Sequence, residues 1–397
     1  MAPLCENSTL SSEFIILGFG DLAELQICFF GLFLVLHLVT LAGHTATVFI
    51  TLLDPCLQTP MYFFLRHLSA IEICYVLVIV PNMLASFLSG SQRMPFLGCA
   101  LQMHLFIALG GAECFLLAVM AYDRFVAICK PLHYTAIITR TLCLQMLALV
   151  CVSGFALSLT LTTLIFLLPF CQSHEINHFF CDIPAVLFLA CSDTRANEIA
   201  VFLVCLLILL IPFLLILLSY GFIITAILSI HSAEGRSKAF STCAGHLLVS
   251  LLHYGCAIFI YIRPKSCYAP EQDKIVSLIY TNVTPMLYPM IYSLRNKEVK
   301  GALKRLLESH DQMRWGSSGV SVIVSPSLHN DNTQRVQRTR RDDLHKALKQ
   351  LLHRAHSRCS VSTNWTLIRH ELWHRNSFNI PLSVCDAGTQ FRQESVC

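Results

Sequence analysis

Two carboxylates, Glu72 and Glu113, each stand alone in a long apolar stretch, and a third acid, Asp123, is followed at once by Arg124. An ionisable group in apolar surroundings is costly, so each of these residues marks a candidate site. Acids on neighbouring helices can hold a cation between them or share one proton, because adjacent carboxylates resist joint ionisation. The plainer alternative is a neutral, hydrogen-bonded Glu used in packing. Asp123 and Arg124 can pair while leaving the guanidinium able to change partners, which suits a two-state switch; the bland reading is a basic anchor. His246 and His253 show no partner pattern for a nucleophile and base, and read as packing or gating residues. The cysteines lack the compact spacing of a metal site. We expect no enzyme, no metal, no cofactor and no nucleic-acid partner.

Composition sets the elements that must position these groups. The 397 residues are 55% hydrophobic and 13% charged, with mean hydropathy +0.62; soluble domains carry about a quarter of their residues charged. Wholesale disorder, a collagen and a small disulfide scaffold are excluded. A bilayer core about 30 Å thick needs about 20 apolar residues as helix. Residues 25–53, 141–170, 199–230, 239–262 and 275–294 meet that length without Asp, Glu, Lys or Arg. Residues 68–88 and 97–122 meet it with one acid each, Glu72 and Glu113. Pro212 and Pro289 are expected to bend the fifth and seventh spans.

Orientation follows from bases in short loops, which stay cytoplasmic. Arg124, Lys130 and Arg140 follow the third span, Arg236 and Lys238 the fifth, and Arg295, Lys297, Lys300, Lys304 and Arg305 the seventh. Residues 1–24 hold four acids and no base, so the N-terminus reads as extracellular and the C-terminus as cytoplasmic. Asn7 opens a glycosylation sequon on the outer side, whereas Asn282 and Asn364 should stay bare. Most cysteines lie within spans. Cys99, Cys171, Cys181 and Cys191 are extracellular and suggest two bridges, with three pairings open.

Several motifs occur in order: Pro60-Met61-Tyr62-Phe63-Phe64-Leu65, Met120-Ala121-Tyr122-Asp123-Arg124-Phe125 running on through Ala127-Ile128-Cys129-Lys130-Pro131-Leu132-His133-Tyr134, Ser219-Tyr220, Lys238-Ala239-Phe240-Ser241-Thr242-Cys243, and the stretch 285–296. Over 13–307 the chain closely resembles the olfactory (odorant) receptors, which are rhodopsin-like G-protein-coupled receptors. The resemblance implies an all-α membrane protein, a bundle of seven transmembrane helices over 25–307 ending in a short amphipathic helix at 296–307. It implies bridges Cys99–Cys181 and Cys171–Cys191, and a cytoplasmic switch of Asp123, Arg124, Tyr220, Lys238 and Tyr292 opening onto a heterotrimeric stimulatory G protein of the olfactory type. The expected location is the plasma membrane, in the cilia of olfactory sensory neurons.

The same resemblance places a pocket for a small odorant in the outer halves of spans three, five, six and seven. Helical spacing is consistent with it. Phe106, Ile107, Gly110 and Gly111 share a face of span three; Val204, Cys205 and Ile208 share one of span five. Tyr254, Ala257, Ile258 and Tyr261 do so on span six, with Leu278 and Thr281 on span seven. His44 stands where the family usually has Asn, Tyr288 where Asn precedes Pro289, Phe125 where Tyr is usual, and Glu72 where Asp is common. His44 and Tyr288 favour, as the alternative, a receptor-fold protein that signals poorly or not at all, a non-signalling variant or a scaffold. A transporter or channel would show repeated halves, broken facing helices or charged rings, and the sequence shows none.

The segment 308–397 extends beyond the family pattern. It carries 12 Lys and Arg against 8 Asp and Glu, whereas 1–307 is balanced at 16 each, so it supplies the net charge of +4. It reads as a mostly disordered cytoplasmic tail rather than a regulatory domain. Within 340–358, leucines on one helical face oppose bases, a pattern suited to an anionic membrane surface or a calmodulin-like partner.

Overall fold

The computed structural model describes residues 13–19, 25–89, 92–170, 174–262, 269–294 and 298–305. Asn7, Cys171 and the tail with its 340–358 pattern lie outside them. Five continuous helices carry spans one to four and six: α1 (Gln26–Leu53), α2 (Pro60–Ser89), α3 (Phe96–Cys129), α4 (Arg140–Phe166) and α6 (Ala233–Tyr261). α5 (Arg195–Leu228) contains a π turn at Leu206–Leu210 just before Pro212. These six are long and apolar enough to cross a membrane. The seventh span, α7 (270–294), is the most broken, with helical pieces Pro270–Leu278 and Thr284–Pro289 and π turns at Ile279–Val283 and Met290–Leu294.

The bundle is apolar outside and polar within. Leu38, Leu149, Val152 and Leu218 are each more than half exposed, which is stable only against hydrocarbon. His44, Glu72, Glu113, His246, Ser250 and His253 are at most 1% exposed. An isolated polar group in lipid has no partner, so these side chains turn inward toward each other. Local signals set the ends. Thr139 caps α4 by accepting the Leu142 N–H at 3.2 Å, and Ser232 caps α6 by accepting that of Gly235 at 3.1 Å. Residues 298–305 are helical, with Val299 and Ala302 buried. That helix is held by Arg305, whose guanidinium donates to Asp54 Oδ2 at 2.7 and 3.0 Å, and by Tyr62 donating to Glu298 at 2.6 Å.

The all-α expectation omits one small element. β1 (Glu13–Ile16) pairs antiparallel with β2 (Gln92–Pro95) and parallel with β3 (Glu175–Ile176), giving the order β2-β1-β3. Its strands come from three segments far apart in sequence, and each is too short to show an alternating pattern. Phe14 anchors it against Phe96, Phe166 and Phe170, with ring centroids 5.8, 6.4 and 5.6 Å away. Gly18 then turns the chain at φ +58°, and a Cβ there would lie 2.8 Å from Ser86 Oγ.

The bend in α7 has an identifiable cause. Pro289 has no N–H, so the carbonyl of Pro285, four residues earlier, loses its helical partner. His44 Nε2 lies 2.9 Å from that oxygen and donates to it. Close approach depends on Gly43, because a Cβ there would come within 2.8 Å of the Pro289 ring. The histidine thus satisfies the acceptor that the proline exposes. Replacing His44 with Ala should leave this carbonyl unpaired and cost about 1–3 kcal/mol. The check is a lower melting temperature of the detergent-solubilised protein; an unchanged value would refute the pairing.

Candidate functional site

A cavity opens between the helices toward the disulfide-bearing end of the bundle, lined by Phe106, Ile107, Gly110, Gly111 and Cys114 of α3, Leu161 of α4, Cys205, Ile208 and Leu209 of α5, Ala257 and Tyr261 of α6, Tyr280 of α7, and Ile183 of the loop above. The centre of a water-sized sphere has about 40 Å³ in which to move, room for a few waters at about 10–15 Å³ each. The glycines make this space. A Cβ on Gly110 would lie 3.3 Å from the Tyr280 hydroxyl, and one on Gly111 3.7 Å from Ile208.

Eight of the thirteen residues expected to line the pocket do so: Phe106, Ile107, Gly110, Gly111, Cys205, Ile208, Ala257 and Tyr261. Val204, Tyr254, Ile258, Leu278 and Thr281 do not line it. Tyr254 turns its hydroxyl to the Cys114 carbonyl at 2.7 Å and packs on Phe213. Thr281 donates to Ser277 O at 2.7 Å within its own helix. Val204, Ile258 and Leu278 are half-buried against the apolar core. The π turns account for part of the difference. A π turn inserts one residue into the helical repeat, so a stripe drawn at regular spacing loses register across it. At Ile279–Val283 the inward position falls on Tyr280, and at Leu206–Leu210 it falls on both Ile208 and Leu209. Cys114 lies one turn beyond Gly110 and Gly111, so a longer α3 stripe would have included it. Leu161 and Ile183 carry no sequence signal linking them to the site.

Below the cavity sits a buried polar cluster. His253 Nδ1 lies 2.8 Å from Glu113 Oε1, and both side chains are 2% exposed. Tyr288 donates a short hydrogen bond to the same carboxyl oxygen and lies 3.1 Å from His253 Nδ1. The other imidazole nitrogen, Nε2, is 3.2 Å from the Cys114 thiol. The sequence shows no partner pattern for His253 because its partners come from α3 and α7, distant in sequence. Glu72 is fully buried beside Glu113, and no N–H or O–H donor among the described residues reaches its carboxyl.

The roof of the cavity is tied to the disulfide loop. Cys99 and Cys181 form a bridge with Cα atoms 5.5 Å apart, and the neighbouring Asp182 accepts hydrogen bonds from Tyr261 and from the Ile183 N–H, both at 2.8 Å. Burial lifts the Asp182 carboxyl to about 7 against those two hydrogen bonds, with the charge of Asp273 adding to the rise. His178 is pushed down to about 3 by burial and the nearby Lys274, and stays neutral. Beyond the bridge, Phe170 pairs with Ala190 and the Cys191 N–H donates to Pro169 O at 3.0 Å. That backbone pairing brings the segments leading into positions 171 and 191 together.

At the opposite end, Asp123, Arg124, Tyr220 and Tyr292 are buried. Tyr134 donates to Asp123 Oδ1 at 2.8 Å, and its burial, followed by that carboxylate's charge, raises its phenol above the usual range. Tyr220 meets His246 Nδ1 at 2.9 Å, and the His246 ring lies 6.2 Å from that of Tyr292. Lys238 falls within α6 by its backbone.

Residues 33–310 match the family model described as olfactory receptor. The chain belongs to the olfactory receptor family. It is 53% identical over 301 residues to olfactory receptor 10Q1 of Homo sapiens, covering 75% of this chain and 94% of that relative. Olfactory receptor 10R2 of the same organism is 49% identical over 304 residues, 77% of this chain and 91% of the relative. Olfactory receptor 10A7 is 51% identical over 304 residues, 77% and 96% respectively. This olfactory receptor is thus a multi-pass membrane protein whose relatives are receptors rather than enzymes.

The roof of the receptor yields a pH test. A carboxyl raised from 3.8 to about 7 on folding binds its proton more tightly in the folded state. Its contribution is complete below the unfolded value and is lost as pH rises through about 7. Asn keeps the acceptor for Ile183 without a charge. Thermal stability of the receptor should fall between about pH 4 and 7, and Asp182→Asn should flatten that fall. Parallel wild-type and variant curves would exclude a buried, proton-binding Asp182.

Proposed function

We propose that this chain is an odorant receptor that binds small, largely apolar volatile molecules in the cavity between α3, α5, α6 and α7, and activates a stimulatory G protein of the olfactory type to raise cyclic AMP. The carrying observation is the cavity itself: apolar side chains from several helices converge under a disulfide-tied roof, with few polar anchors. Each buried ligand methylene contributes about 0.8 kcal/mol, which suits weak binding of small molecules. A ligand that binds a rearranged bundle better than the resting one shifts the population toward that form. A ligand that widens the outer half acts on α6, which also carries His253 and His246.

The placement of bases on one side supports an extracellular N-terminus and a cytoplasmic C-terminus in the plasma membrane, with sensory cilia as the working location. Asn7 is the proposed glycosylation site, and Cys171–Cys191 the proposed second bridge, supported by the Phe170–Ala190 pairing. Asp123, Arg124, Tyr220, Lys238 and Tyr292 are the proposed G-protein switch. The adjacency of Glu72 and Glu113 supports a shared proton or bound cation, since two neighbouring carboxyls repel when both are ionised. A second reading, a receptor that signals poorly, draws on Tyr288, which cross-ties α7 to Glu113 of α3 and His253 of α6.

Odorant-dependent cyclic AMP in transfected cells separates the two readings. Within the first, Gly110→Leu should fill the cavity against Tyr280 and lower the response to the best agonist at least about tenfold, equivalent to about 1.4 kcal/mol, with surface expression retained. An unchanged response spectrum would remove the ligand from this cavity. Arg124→Ala should abolish the cyclic AMP response at unchanged surface level; a wild-type response would exclude the switch.

A further inference from the structure

Cys114, His253 and Glu113 form a thiol–imidazole–carboxylate relay, and the thiol end lines the cavity. For a neutral imidazole the contacts fix the tautomer. Glu113 Oε1 accepts from His253 Nδ1 at 2.8 Å and also takes the Tyr288 hydroxyl, so Nδ1 carries a proton. Nε2 is left as the acceptor for the Cys114 S–H at 3.2 Å. A positioned base next to a thiol is the arrangement that activates a nucleophile, with a third group orienting the base. The Tyr254 hydroxyl fixes the Cys114 carbonyl at 2.7 Å, which holds the nucleophile's backbone in place.

From this placement we infer that the receptor captures electrophilic ligands, α,β-unsaturated aldehydes and ketones, as reversible covalent adducts on Cys114. This deepens the proposed function and rests on the cavity being the ligand site. The step is a conjugate addition. The sulfur pair forms an S–C bond to the β-carbon as the thiol proton passes to His253 Nε2. The C=C π pair moves to the α-carbon and carbonyl, giving an enolate that takes the proton back from the imidazolium at the α-carbon. The net change adds S–H across C=C, with no leaving group and no change of redox balance. An apolar cavity suits this step better than acyl transfer, which would need a water to release the acyl group. Tyr280 lines the same cavity and presents its hydroxyl near Gly110, a donor for the carbonyl oxygen. Tyr261 is already committed to Asp182. A soft metal ion is the poorer fit, because Cys114 and Glu113 sit on opposite nitrogens of one imidazole and no three such groups among the described residues are placed to hold one ion.

The test treats membranes bearing the full-length receptor with a six-carbon α,β-unsaturated aldehyde, fixes adducts by borohydride reduction, and maps them by peptide mass spectrometry. The saturated six-carbon aldehyde serves as competitor and reversible agonist. Expected are labelling of Cys114 ahead of Cys205 and Cys256, slowing by the saturated competitor, and loss of the adduct in Cys114→Ser. His253→Phe should slow labelling by about 100-fold, at the lower end for a positioned base. His253→Gln provides a second variant, with surface level measured for each. If the saturated aldehyde evokes a response while Cys114 stays unlabelled, or if both His253 variants label at the wild-type rate, the covalent proposal is overturned and the cavity reading stands. If the saturated aldehyde neither evokes a response nor slows labelling, the cavity reading falls and this proposal falls with it.

Discussion

Glu113 is buried in the middle of a bundle whose outer surface suits hydrocarbon, and much of the architecture serves to give its carboxyl partners. Unpaired, a buried carboxylate would cost several kcal/mol. Here His253 of α6 and Tyr288 of α7 both converge on one of its oxygens. Three helices that share no sequence proximity are thereby fixed at one depth. The cavity floor is fixed by the same contacts, since Cys114 follows Glu113 in α3 and bonds to the far nitrogen of the same imidazole. Removing the carboxyl would release His253 and Tyr288 together, so contributions at these positions are not additive.

α7 supplies the second constraint. Its prolines and π turns leave carbonyls that regular helix would satisfy, which is tolerable in lipid only where neighbours fill in. His44 fills in for Pro285 O, and Gly43 allows the approach. Asn at position 44 could donate too, but the longer imidazole both reaches the α7 backbone and sets its ring edge-on to Tyr288 at 6.5 Å. Two of the departures from the family pattern, His44 and Tyr288, are thus neighbours facing the same bend. Read singly from the sequence, each looks like a lost amide. Together they form an alternative way of packing the first and seventh spans.

What the sequence made legible follows from how each feature is encoded. Long apolar runs have one solution in a bilayer, so the helices fall where composition places them, although α2 starts at Pro60 and α3 runs to Cys129, past the apolar limits at 68 and 122. Those extra turns lie where backbone bonding outlasts hydrophobicity. Regular spacing found the α3 stripe of the cavity because α3 is continuous, and failed on α7 because the π turn at Ile279–Val283 moves the inward position to Tyr280. The small sheet was invisible, since its pairing is tertiary. The partners of His253 were hidden for the same reason: nothing local in Leu252-His253-Tyr254 announces an acid 140 residues earlier in the chain.

One face of α6 connects these levels. His246, Ser250, His253, Ala257 and Tyr261 recur at helical spacing, and all but Tyr261, which is half-buried, are buried. Tyr261 reaches the loop at Asp182, Ala257 lines the cavity, His253 meets Glu113, and His246 meets Tyr220. A rigid helix held by polar contacts at three heights cannot shift at one without straining the others. Occupancy of the cavity can bias the far end only to the extent that a ligand binds the shifted arrangement better than the resting one. The contacts at His253 and His246 set the free energy that this preference must exceed. On this physical reading the sensitivity of the receptor is written less in the apolar cavity wall than in the strength of the histidine contacts below it.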